Sequence, residues 1–200
     1  MFDSDYQKGK NSFVIGITGA TCSGKSTLAN KIRDNFSGSV VMCQDDYFLS
    51  LDDPRHVKIQ ELNHINWELI TSMDMQKMHS DIVQILQSHK PDAADGTRTR
   101  ILILDGFLLF KHKPITDLCD RKYFLTLTKE QCWERRKDRT YDPPDVPGYF
   151  DKVVWPEYVK YENEVTRDSE LYKTVRFIDG SKNMEEIYEM ITKEISQLLS

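Results

Sequence analysis

Two hundred residues, 39% hydrophobic and 30% charged, suit one α/β domain with a sizeable core and leave too little chain for two. A net charge of −5 argues against general nucleic-acid binding, which needs a basic face, and no run approaches the ~18 apolar residues of a membrane span. The four cysteines (Cys22, Cys43, Cys119 and Cys132) form no CxxC pair and read as free thiols of a reducing compartment, not as a disulfide framework or a zinc site.

Residues 1–12 are polar and lack the apolar core of an export signal, so they read as a flexible extension to one domain over 13–200. The expected compartment is the cytoplasm, with the nucleus left open. Phe13 to Ile17 is a β-rich apolar run and predicts a buried strand. Next comes Gly19-Ala20-Thr21-Cys22-Ser23-Gly24-Lys25-Ser26, which fits GxxxxGK[ST], followed by Thr27 and a helix from Lys25 to Phe36. Glycines let such a backbone curl around phosphate oxygens, the lysine reaches the β- and γ-phosphates, and the serine hydroxyl ligates Mg²⁺. The positive end of the helix adds to this. The alternative is a glycine turn that merely joins strand to helix; the motif's place after an apolar strand and before a helix favours the phosphate loop.

Ser39 to Cys43 predicts a second strand, ending in Gln44-Asp45-Asp46-Tyr47-Phe48. Carboxylates beyond the carboxyl end of a parallel strand stand where such sheets bind ligands. Asp45 is the candidate base for an acceptor hydroxyl; the competing reading makes Asp45 and Asp46 caps of a turn. Leu49 to Asn66 reads as a polar loop or lid-like insert, and Met73 to Leu86 as a helix. Pro91 to Arg100 reads as a second polar loop. Ile101 to Leu104 is the most apolar strand, and Asp105 at its end is either a Mg²⁺-polarising carboxylate or a turn residue beside Gly106.

Tyr123 to Leu127 predicts another strand, and Glu130 to Arg139 a charged helix or helix end. Its run Glu134-Arg135-Arg136-Lys137-Asp138-Arg139 is a solvated face in most proteins, but beside a phosphate loop arginines neutralise a transferring phosphoryl group. Asp142 to Gly148 carries three prolines and cannot be helical. Asp151 to Arg167 is read as a helix with Pro156 in its first turn, Val175 to Ile178 as the last strand, and Met184 to Leu199 as a closing amphipathic helix. Five apolar strands alternating with helices predict a three-layer P-loop sandwich around a parallel five-stranded sheet, with a short lid over about 133–147. An NKxD guanine-reading motif is missing, which speaks against a nucleotide switch, and Lys25, Asp45 and Asp105 together speak against a non-catalytic ATP-binding module.

Taken together, the phosphate loop, Gln44 to Phe48, Asp105 to Phe110 and Tyr141 to Phe150 resemble the nicotinamide riboside kinases, relatives of uridine kinase among the nucleoside and nucleotide kinase-like P-loop proteins. The resemblance covers residues 13–199, and its most selective part is the Pro143 to Asp151 segment followed by Val154-Trp155-Pro156. It implies an ATP-dependent, Mg²⁺-requiring phosphorylation of a riboside 5′-hydroxyl, by a monomer or small homo-oligomer with no nucleic-acid or membrane partner. It makes Asp45 the base and, with Ser26 and Asp105, a metal partner. Asp46, Tyr47, Phe48, Arg136 and Asp142 would lie toward the acceptor, Arg135 and Arg139 on ATP, and Lys182, Asn183 and Met184 beside adenine. Trp67-Glu68 stands where the family usually has Tyr-Asp, and Asp105 where Glu is usual. By the same resemblance Tyr141 stacks on the nicotinamide. A pyridinium cation suits stacking on Trp67 and Tyr141, although either ring also reads as packing, Trp67 in the core and Tyr141 in the lid. Uridine, cytidine or pantothenate kinases would share the ATP side and differ at Trp67, Glu68, Arg136 and Tyr141.

Overall fold

Val14, Ile15 and Ile17 are fully buried, so the first strand, β1 (Ser12–Gly19), has core on both faces and belongs at the centre of a covered sheet. The computed structural model describes residues 12–88 and 99–199; residues 1–11 of the polar extension and 91–98 of the second polar loop lie outside them. After β1 come α1 (Lys25–Asn35), β2 (Val40–Cys43), a short antiparallel pair β3 (Lys58–Ile59) and β4 (His64–Ile65), α2 (Met75–Ser88), β5 (Arg100–Asp105) and α3 (Lys113–Leu118). The chain continues with β6 (Arg121–Thr126), α4 (Lys129–Arg136), α5 (Trp155–Arg167), α6 (Ser169–Thr174), β7 (Val175–Asp179) and α7 (Met184–Leu199).

Five strands form the expected parallel sheet in the order β2-β5-β1-β6-β7. Alternation along β1 sends Val14 to one face and Ile15 and Ile17 to the other. On the second face α1 and α7 pack through Leu28, Ile32 and the stripe Ile187, Ile191 and Ile195, whose spacing of four keeps one helical face inward. On the first, α2 contributes Met75, Met78, Ile82 and Leu86, and α5 contributes Tyr158, Tyr161 and Val165. Helices on both faces leave the carboxyl ends of β1, β2 and β5 as the open rim.

Boundaries differ from expectation in a few places. Strand β6 begins two residues early, at the charged Arg121 and Lys122. Both point their charge to partners at the sheet's rim, Arg121 to Glu194 at 3.2 Å and Lys122 to the Cys119 carbonyl at 3.0 Å. Helix α4 stops at Arg136, three residues short, where the Arg139 N–H bonds the Arg136 carbonyl at 2.9 Å and tightens the chain into a turn. A π-helical turn, Phe150–Val154, precedes α5, which carries Pro156 in its first turn. Helices α3 and α6 are new. Each is six residues long, too short for a periodic apolar stripe to stand out; α6 is started by Asp168, whose side chain accepts from the Glu170 and Leu171 N–H groups.

Candidate active site

The β1–α1 loop takes its shape from two glycines. Gly19 has φ +125°, and a Cβ there would lie 2.1 Å from the Leu125 carbonyl oxygen; Gly24 has φ +95° and caps α1. Cys22 between them also takes a positive φ, 58°. The result curls the chain around the Lys25 side chain, whose Nζ donates to the Gly19 and Ala20 carbonyls at 3.1 and 2.7 Å. The first N–H groups of α1 have no partner within the helix, as at any helix start, and the buried Ser23 hydroxyl also lacks one. Such a cradle is matched to an anion.

The loop opens on a cavity of about 530 Å³. Thr21, Cys22, Gly24, Lys25, Ser26 and Thr27 form its floor, Asp45 and Asp105 its first wall, and Phe48, Trp67, Glu68 and Phe107 its second. Arg135, Arg136, Arg139, Tyr141 and Asp142 close it from the α4 side. Burial lowers the Lys25 ammonium from its usual range, against the pull of Asp105 and Asp45. Burial also raises Asp105, with the Ser26 hydroxyl bond and Lys25 opposing it. Asp45 remains open to the cavity, yet the protein around it strips enough water to raise its carboxyl, while Lys25 pulls the other way. Two carboxylates, one of them bonded to the Ser26 hydroxyl, are hard oxygen donors of the kind Mg²⁺ takes together with phosphate oxygens, and Lys25 beside them is a fixed positive charge for the phosphates themselves.

The basic run divides into distinct contacts. Arg135 donates to the Gly180 and Cys22 carbonyls at 3.0 and 3.3 Å. Arg136 is buried and forks onto Asp145, with Nε and Nη2 at 3.0 and 3.1 Å from its two oxygens, while Nη1 donates to Thr21 Oγ1 at 2.9 Å. Arg139 reaches Cys22 Sγ at 3.5 Å. The Tyr141 ring carries the Arg136 guanidinium 4.1 Å from its centroid and that of Arg139 at 5.4 Å. Burial tends to raise the Cys22 thiol, but its contacts with Arg139, Thr21 and Tyr141 outweigh this and lower it.

On the opposite wall Trp67 meets the Phe48 ring edge-on at 5.6 Å and the His56 ring at 4.7 Å, and Phe48 stacks on Phe107 at 6.0 Å. Burial raises the Glu68 carboxyl to about 7, with Arg136 opposing it. The unfolded chain releases that proton near pH ~4.3, so the folded state binds more protons between there and about pH 7, and stability falls as pH rises through that window. Glu68→Gln does not titrate. Its melting temperature is expected to drop less than that of the wild-type protein between about pH 5 and pH 8; equal drops in thermal melts would remove Glu68 as a source of the pH dependence.

Several expected residues lie outside this cavity. Tyr47 donates to Asp81 at 2.9 Å and so faces α2, and its neighbour Asp46 is exposed and does not line the space. Gly19, Ala20 and Ser23 belong to the loop's inner side. Lys182, Asn183 and Met184 sit beside the loop: Asn183 Oδ1 accepts the Glu185 N–H at the start of α7, and the Met184 methyl would touch a Cβ on Gly24. Conversely, Phe107, Asp145 and Tyr149 line the cavity without having been assigned a role. All three fall inside the motifs quoted above, which was the only sequence signal for them.

Residues 15–168 match a protein family described as "AAA domain". The chain is 34% identical to "Nicotinamide riboside kinase 1" of Homo sapiens over 194 residues, covering 94% of each protein. It is 36% identical to "Nicotinamide riboside kinase 2" of Mus musculus, covering 93% of this chain and 96% of the relative. A "Uridine kinase" of Leuconostoc citreum is 27% identical, covering 96% of this chain and 98% of its own. Among solved structures, a gluconokinase from Sinorhizobium meliloti superposes with a TM-score of 0.55 at 16% identity, covering 96% of this chain and 95% of the other. A sugar kinase from a Janibacter species does so with 0.56 at 14%, covering 92% and 95%. These two likenesses speak for the fold alone.

Proposed function

We propose the reaction from a plain premise: this chain belongs to the nicotinamide riboside kinase family. It is an ATP-dependent phosphotransferase that moves the γ-phosphoryl group to the 5′-hydroxyl of nicotinamide riboside, giving nicotinamide mononucleotide. The observation that carries this reading is one cavity lined both by Lys25, Asp45 and Asp105 and by the aromatic pair Phe48 and Trp67. It offers charge for phosphate and flat apolar surface for a base.

Residues 13–200 act as one catalytic domain, with about 133–147 as its lid. Asp45 accepts the proton of the acceptor hydroxyl as the new P–O bond forms. Lys25 and the loop N–H groups hold the β- and γ-phosphates, and Arg135 and Arg139 face the charge that spreads over the transferring group. Ser26, Asp45 and Asp105 would hold Mg²⁺, which when bound neutralises phosphate charge. Lys182, Asn183 and Met184 flank the adenine, an assignment that the place of the Met184 methyl beside Gly24 supports. Arg136 and Glu68 bound the acceptor side, Glu68 toward the ribose hydroxyls. No helix among the described residues is long and apolar enough to cross a membrane, and we keep the cytoplasm and a monomer or small homo-oligomer as working assignments.

Trp67 is the ring available to a pyridinium cation, because the Tyr141 face already carries two guanidinium groups. Turnover of nicotinamide riboside, its uncharged dihydro form and uridine with Mg·ATP tests both the substrate and this contact. The wild-type protein is expected to favour the charged riboside, and Trp67→Leu to weaken it by roughly 2- to 30-fold while weakening the uncharged one less. Preference of the wild-type protein for uridine would overturn the substrate, and equal losses on both ribosides would overturn the cation contact.

A further inference from the structure

Trp67 and Glu68 sit on no regular element, because β4 ends at Ile65 and the next helical turn starts at Ile70. Single hydrogen bonds hold them. The Glu68 N–H donates to Asn66 Oδ1 at 3.0 Å, and Ser72 Oγ donates to the Asn66 carbonyl at 2.9 Å. The Asn66 N–H also donates to the Val57 carbonyl at 2.8 Å, and two further bonds reach this stretch from Tyr149 and from Glu157 in α5. One is long, Asn66 Nδ2 to Glu157 at 3.4 Å. The other is short: the Trp67 N–H donates to the Tyr149 hydroxyl at 2.8 Å.

Tyr149 is itself firmly seated. It is 1% exposed, its ring meets His64 edge-on at 5.0 Å, and its N–H bonds the Val146 carbonyl at 3.0 Å in the turn that follows Asp145. Asp145 is the residue that forks Arg136. One five-residue stretch therefore grips Arg136 with one end and the Trp67 backbone with the other, and so fixes the distance between two sides of the acceptor space.

We propose that Tyr149 is a positioning residue for the acceptor: its hydroxyl holds the Trp67–Glu68 backbone in register with the Arg136–Asp145 pair. This rests on the reading that Trp67 and Glu68 receive the nucleoside. Without the hydroxyl, the Trp67 N–H loses its acceptor and the stretch is free to shift, and displacements of about 1 Å at a site are enough to cost up to ~100-fold.

Tyr149→Phe removes the oxygen and keeps the ring against His64. Tyr161→Phe is the matched control, since Tyr161 is also 1% exposed and its hydroxyl meets the Phe110 N–H at 3.0 Å and Thr18 Oγ1 at 3.2 Å, neither of them in the 66–69 stretch. Two readouts are needed, steady-state kinetics and hydrogen–deuterium exchange over residues 66–69. Tyr149→Phe is expected to raise the KM of the nucleoside by about tenfold, leave the KM of ATP within about twofold, and speed exchange over 66–69. Tyr161→Phe is expected to lower the melting temperature with neither effect. The proposal falls if exchange over 66–69 is unchanged in Tyr149→Phe, or if the two KM values rise together. Should the wild-type protein turn over a nucleoside other than nicotinamide riboside, the KM is read on that nucleoside; the substrate assignment then fails by itself. Should it turn over none, the exchange arm still decides.

Discussion

Asp45→Asn is expected to lower kcat by about 10²- to 10⁴-fold while ATP binds nearly as before, the range a positioned base contributes. Asparagine keeps the shape and one acceptor oxygen, but it cannot take up the proton released as the acceptor oxygen attacks phosphorus. On the proposed reading the nucleotide is held instead by the loop, Lys25 and the arginines, all of which the substitution leaves in place. A second signature separates a carboxylate that must be ionised for turnover from a turn cap. Burial raises the Asp45 carboxyl, and only the ionised form can accept a proton. Wild-type turnover should therefore decline as pH falls through a value above that of an ordinary aspartate, and that acid limb should vanish in the residual activity of the variant. Rapid-quench turnover and ATP titration on the same preparation give both numbers. Retention of more than about a tenth of kcat would remove Asp45 from the role.

Lys25→Ala should damage both nucleotide binding and chemistry. The ammonium is buried and stands beside Asp45 and Asp105, so its loss leaves two carboxylates without a counter-charge where phosphates must enter. Each carboxylate would then hold its proton to higher pH, which leaves less of Asp45 ionised on the acid side. Removing one preorganised donor to a reacting oxygen typically costs about 10²–10³ in kcat, and the weaker hold on ATP adds to this in kcat/KM. There is a competing structural explanation, because the same amine also clasps the Gly19 and Ala20 carbonyls. Lys25→Met, which keeps the stem, and an ATP affinity measured directly distinguish the two. If ATP binds as tightly as before and only the melting temperature falls, Lys25 is a clasp for its loop and the phosphate role is wrong.

The phosphate loop was legible because its demands are local. Gly19 and Gly24 adopt backbone angles that side chains resist, and Lys25 and Ser26 follow at once in the helix those angles start. The strands were legible for a related reason: a strand buried on both faces must be apolar at every position, as Ile101 to Leu104 are. Helices α3 and α6 escaped because six residues hold too little periodicity. The start of β6 escaped because Arg121 and Lys122 disguise it, their charges being met by Glu194 and a carbonyl that lie far away in sequence or past a turn.

The sequence by itself determined the fold class, the loop, the two strand-end carboxylates and, through the Tyr141 to Phe150 segment, the family. Each follows from chain-local chemistry: backbone angles, apolar runs and short motifs. Tertiary structure alone decided what each charge meets. The arginines of the basic run look alike in sequence, yet Arg136 meets Asp145 and Thr21, Arg135 two carbonyls, and Arg139 a thiol and a ring. Tyr47 turned out to serve α2, and Tyr149 to hold Trp67 across 82 residues of chain. A side chain's partner depends on where the fold brings distant backbone, and hydrogen bonds of about 3 Å are decided by displacements far smaller than any sequence pattern encodes.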